Sequence, residues 1–64
     1  MKYPDITVQL VGNDGNAFAI MGSVTKALRR ARVDNTEVQT YMDEAMSGDY
    51  DNLLRVTMEW VNVE

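Results

Sequence analysis

Gly12-Asn13-Asp14-Gly15-Asn16 separates two kinds of hydrophobic spacing. Before it, Ile6, Val8 and Leu10 alternate with Thr7 and Gln9, the period of two that turns one face of a strand toward a core. After it, Ala17, Ile20, Met21, Val24, Leu28 and Ala31 recur at spacings of mostly three and four, one stripe of a helix. The stretch reads as the joint of a strand–turn–helix unit. Gly and Asn accept positive φ in such a turn, and Asn16 or Asp14 can cap the helix that follows.

Working outward, the first strand is predicted from Tyr3 to Val11, with Pro4 near its start where a missing N–H does least harm. The first helix is predicted from Ala17 to Ala31. Lys26, Arg29 and Arg30 lie opposite its stripe, near the end where cations offset the helix dipole. Phe18, Gly22 and Thr25 mark a third face. Gly22 should cost about 1 kcal/mol relative to Ala in a helix interior, so this face is a candidate interface.

Asp34-Asn35-Thr36-Glu37 has the spacing of a capping box. The second helix then carries Val38, Tyr41, Met42, Ala45 and Met46 as its apolar stripe, with Gly48 as its left-handed terminator. Asp49 is the expected cap of a third helix through Met58, whose buried side is read as Tyr50, Leu53, Leu54 and Met58. Trp60, Val61 and Val63 close the chain as a short strand. The expected fold is α+β: a small β-α-α-α-β domain, the two terminal strands paired and the helices packed on one face. The expected core is Ile6, Val8, Leu10, Ile20, Val24, Leu28, Val38, Met42, Leu53, Leu54 and Trp60. A lone two-stranded sheet is marginal in water, so helices must cover it or an edge must pair with a second copy.

The 64 residues make a single domain spanning 1–64. A chain of this size buries about 60% of its unfolded surface, which leaves stability small. At 45% hydrophobic it is globular in composition, with neither Cys nor His to form a disulfide or a Cys/His zinc site. Without those two residue types the usual thiolate nucleophile, general base and metal ligand are missing. Carboxylate chemistry survives only formally, so no enzyme activity, catalytic residue, metal or cofactor is expected. Met1-Lys2-Tyr3-Pro4-Asp5 does not lead into a secretory signal, and no apolar run approaches the roughly 18 residues of a membrane span. A cytoplasmic location is the expectation.

The net charge of −4 hides a division. Residues 1–33 hold five cations against two acids, a net +3, and residues 34–64 hold one cation against eight acids, a net −7. One side of the molecule should be basic and the other acidic.

Asp5-Ile6-Thr7-Val8-Gln9-Leu10, Gly15-Asn16-Ala17-Phe18, Ala27-Leu28-Arg29-Arg30-Ala31, Ser47-Gly48-Asp49-Tyr50-Asp51-Asn52-Leu53-Leu54 and Trp60-Val61 carry a resemblance across nearly the whole chain. Together they resemble a group of short conserved hypothetical proteins from bacterial, phage and plasmid genomes. The resemblance implies an accessory protein of a mobile element and assigns no catalytic residue. It also implies Gly where Arg32 stands, as a helix stop, so the first helix is expected to end less cleanly here.

Five groups of residues invite a chemical or binding role. Gly12-x-x-Gly15 ahead of a helix suggests a phosphate loop, but no Gly-Lys-Ser/Thr follows and Asp14 would oppose an anion; a turn with a cap explains it. Asp49-x-Asp51 fails the calcium-loop pattern, because Leu53 and Leu54 stand at its fifth and sixth positions. Lys26, Arg29, Arg30 and Arg32 form the basic cluster through which nucleic acid would be held, without interleaved aromatics and in an acidic chain. Their plainer role is solvation and pairing with acids of the second helix. Glu37, Asp43 and Glu44 are a candidate acidic partner face that imitates nucleic-acid phosphates, or else an ordinary solvated helix surface. Met42 and Met46 read as core before they read as a recognition groove.

The sequence therefore favours a non-catalytic interaction protein with a protein partner, and a homodimer through Phe18, Gly22 and Thr25. The alternatives are nucleic-acid binding by the basic end of the first helix, or acidic mimicry that inhibits a host protein.

Overall fold

Residues from opposite ends of the chain lie side by side in the computed structural model, which describes residues 2–9 and 16–64. Strand β1 (Tyr3–Val8) is followed by helices α1 (Ala17–Arg30), α2 (Asn35–Ala45) and α3 (Tyr50–Trp60), then by strand β2 (Val61–Val63). The strands form one parallel pair. Parallel strands need a long crossover, and the three helices supply it. Tyr3 aligns with Val61, Thr7 with Asn62 and Val8 with Val63, so the register slips between Tyr3 and Thr7. Lys2 N–H donates to the Glu59 carbonyl and Glu64 N–H to the Val8 carbonyl, extending the ladder at both ends. The β-α-α-α-β order and the paired terminal strands match the sequence reading. Its Gly12–Asn16 turn lies outside the described residues except for Asn16, and the expected strand positions Leu10 and Val11 lie outside them too.

Trp60 is the hub. Its ring meets Tyr41 edge to face at 5.5 Å and Tyr3 at 6.0 Å between centroids. Lys2 Nζ stands 4.1 Å from the ring centroid, a cation–π distance. Its indole Nε1–H donates to Glu44 Oε1 at 3.0 Å, which satisfies the ring's polar atom. One side chain thus ties β1, α2 and α3. Sequence spacing placed Trp60 in the closing strand; it is instead the last residue of α3, and β2 begins at Val61.

Val8, Ile20, Val24, Leu28, Val38, Leu53 and Trp60 are buried as expected, while Ile6, Met42 and Leu54 are half-buried at the core's margin. Leu10 lies outside the described residues. The α3 face is rotated from the one the apolar pattern suggests. Its buried residues are Leu53, Val56, Thr57 and Trp60, and Met58 is 54% exposed. Thr57 enters the core because its hydroxyl meets Tyr41 Oη at 2.7 Å, so neither polar group is buried alone. A polar residue displaced a methionine, which a hydrophobicity pattern cannot register.

Helix ends depart from expectation in three places. Asp34 occupies the α2 N-cap without a side-chain bond, and Glu37 turns to Lys2 Nζ at 3.8 Å instead of closing a capping box. Gly48 is not left-handed; Met46 is the C-cap, and a Cβ at Gly48 would stand 3.0 Å from the Asn52 side chain. Third, α1 ends cleanly despite lacking the glycine that the resemblance implies. Arg32 takes φ 64° itself. Its N–H donates to the Arg29 carbonyl and that of Val33 to the Leu28 carbonyl, the two bonds of a Schellman closure. Ala31, placed on the apolar stripe by spacing, is the exposed C-cap.

Candidate interaction site

The α1 N-terminus is set by Asn16, whose Oδ1 accepts from Phe18 N–H at 2.9 Å and Ala19 N–H at 3.3 Å. This cap holds Phe18 on the first turn, where the ring is 78% exposed. A side chain of that size gains about 1.5–3 kcal/mol when fully buried, a gain that the isolated chain leaves unmade and a partner could supply.

Across from Phe18 lies the joint between α2 and α3. The Glu44 carbonyl accepts from Ser47 N–H, Ser47 Oγ–H at 2.7 Å and Asn52 Nδ2–H at 3.0 Å. Asp49 Oδ1 caps α3 by accepting from Asn52 N–H at 3.0 Å. These bonds fix a turn that presents Met46 and Tyr50, which are 53% and 39% exposed. Phe18, Met46 and Tyr50 rim an open groove of about 260 Å³, with Met21, Ala45 and Leu53 deeper in and Asp49 at the edge. Spacing had assigned Met46 and Tyr50 to buried stripes. Each sits where its stripe runs off a helix end, and neighbouring Ser47-Gly48-Asp49 was the available signal.

Of the expected interface residues, Gly22 is exposed, and a Cβ built there meets nothing within 4 Å. Thr25 does not join that surface; it is buried at 7% exposure, and its Oγ1–H donates to the Gly22 carbonyl at 3.2 Å. The exposed face of α1 is Phe18, Gly22, Lys26 and Arg29, at helical spacings.

Lys26, Arg29, Arg30 and Arg32 are all exposed, and none forms an ion pair among the described residues. The pairing with acids of α2 suggested by sequence is therefore not made. Lys26 and Arg30, with Ser23, Thr7 and Gln9, line a second, polar groove of about 240 Å³ between α1 and the end of β1. Of the acidic trio, Asp43 and Glu44 are exposed and Glu37 is half-buried, and each has a partner within the chain. Glu37 pairs with Lys2, Asp43 accepts from Gln39 Nε2 at 3.1 Å, and Glu44 holds Trp60.

No family model, curated protein or solved structure matches the chain.

Among the described residues there is no cluster of three or more acids arranged to hold a metal, and Asp49 is engaged as a cap. Gly12, Asp14 and Gly15 of the phosphate-loop pattern lie outside the described residues. Two tyrosines are electrostatically perturbed. Burial raises the Tyr41 pKa above 10.0, partly opposed by its bond to Thr57. Tyr3 is raised by desolvation first and then by the neighbouring Glu37 carboxylate. Both stay protonated near neutrality and belong to the Trp60 cluster, apart from either groove. No helix among the described residues is long and apolar enough to cross a membrane.

Proposed function

We propose that the protein is a non-catalytic, cytoplasmic interaction module, an accessory protein of a mobile element that binds another protein through the Phe18–Met46–Tyr50 groove. The observation that carries this reading is a 78%-exposed Phe18 beside two more exposed large apolar side chains, on a turn locked by the Glu44 carbonyl. Clustered exposed apolar surface marks contact sites, whereas single exposed residues do not. Rigid aromatic anchors lose little entropy on binding, and Met adapts to its partner's shape.

Capture from a bacterial lysate, followed by titration of the purified captured protein, tests the reading. Binding should be lost in Met46→Asp and kept in the Arg29→Gln/Arg30→Gln double variant. Binding that survives Met46→Asp overturns the groove as the contact site.

The nucleic-acid alternative draws on one observation, the cations Lys26, Arg29 and Arg30 of α1 and Arg32 just beyond it, without ion-pair partners among the described residues. Phosphate contacts weaken steeply with salt, an apolar groove much less. Retention of DNA or RNA that disappears both in salt and in the Arg29→Gln/Arg30→Gln variant would replace the first reading with this one.

A further inference from the structure

We infer that the first partner of this face is a second copy of the chain, docked with its α1 antiparallel across α1 and the two helices crossing at Gly22. The inference rests on the reading of the groove as a protein contact and names what covers it.

Three observations converge. Gly22 is exposed in mid-helix with nothing within 4 Å of a built Cβ, so no contact within the chain requires a glycine there. An opposing helix can approach its backbone closely. Phe18 lies one turn before Gly22 and Lys26 one turn after, on the same exposed side. A two-fold axis through Gly22 sets the Phe18 ring of each copy beneath the Lys26 stem and ammonium of the other. Lastly, the charges are distributed end to end along this face. Lys26, Arg29 and Arg30 crowd the C-terminal part of α1 without ion-pair partners among the described residues, while Asp49 edges the apolar groove beside the N-terminal part.

That distribution decides the orientation. A parallel pair sets cation against cation and aligns the two helix dipoles unfavourably. An antiparallel pair brings the basic end of each copy to the Asp49 edge of the other and opposes the dipoles. The same carboxylate caps α3 through Oδ1, so its charge is held in place.

Sedimentation equilibrium from micromolar to millimolar chain reads the outcome. The parent should show a monomer–dimer equilibrium that shifts toward monomer as salt rises. Gly22→Leu should be monomeric throughout with an undiminished helical signal, because its side chain enters open space and Leu is the better helix former. Asp49→Asn keeps an N-cap acceptor and removes the charge, and should weaken the dimer by about two- to fivefold. A parent that stays monomeric overturns the inference, as does a dimer that Gly22→Leu leaves intact. A dimer broken by Gly22→Leu but indifferent to salt and to Asp49→Asn overturns the antiparallel arrangement. None of these results depends on the capture experiment, in which Met46→Asp separately tests the groove.

Discussion

Arg32 shows how one residue can satisfy every hydrogen bond of a motif and still strain it. Its φ of 64° is the sole positive value at a non-glycine position among the described residues. A side chain in this region brings Cβ close to the carbonyl oxygen, at about 1–2 kcal/mol. The Schellman bonds to Arg29 and Leu28, with Val33 packed on the core, hold the residue there regardless. Arg32→Gly should therefore stabilise the fold by about 1 kcal/mol, part of the strain relief being offset by the freer unfolded chain. For a domain of this size the melting temperature should rise by roughly 4–8 °C. A calorimetric scan checks it, and a fall would mean that the Arg32 side chain contributes more than its backbone costs.

At the scale of elements, α3 separates what periodicity can and cannot read. The apolar spacing puts Leu53 on the buried side, where it lies, but turns the stripe through Tyr50 and Met58 to a side that the core does not take, because Thr57 occupies the core with Tyr41 as its partner. Leu53→Ala should cost about 2–5 kcal/mol and Met58→Ala less than about 0.5 kcal/mol, since only the first leaves a cavity. Parallel denaturant titrations measure both. Equal losses would contradict the rotation of the helix described above. The same reasoning explains Met46 and Tyr50: an apolar residue at a helix end follows the stripe in sequence but projects past the neighbour that would cover it.

For the whole molecule, the Tyr41–Thr57–Trp60 cluster couples stability to alkaline pH. The folded state raises the Tyr41 pKa above its unfolded value of 10.0 and so retains a proton that the unfolded chain gives up. The resulting stability is complete below pH 10.0 and declines as pH rises through the folded-state value. Urea titrations between neutral pH and alkaline pH should show a falling midpoint. Tyr41→Phe should begin less stable, because Thr57 loses its buried partner, and should have a shallower alkaline decline. An unchanged slope would assign the dependence elsewhere, Tyr3 being the next raised group.

Local sequence encoded the order of elements, the cap at Asp49, the α1 cap to within Asn16 or Asp14, and most of the apolar stripe of α1. These follow from local spacing and from hydrogen bonds within three residues, which the chain encodes wherever it folds. It also carried the exposed positions of Phe18 and Gly22, since both fall off that stripe. Only tertiary structure decided that the terminal strands run parallel, that Glu37 and Glu44 serve Lys2 and Trp60, and that Thr57 is core while Met58 is not. Each of these depends on a partner distant in sequence, Glu44 and Trp60 among them. The groove arose the same way: Phe18 shares it with Met46 and Tyr50 only because the packed helices bring the start of α1 beside the turn joining α2 to α3.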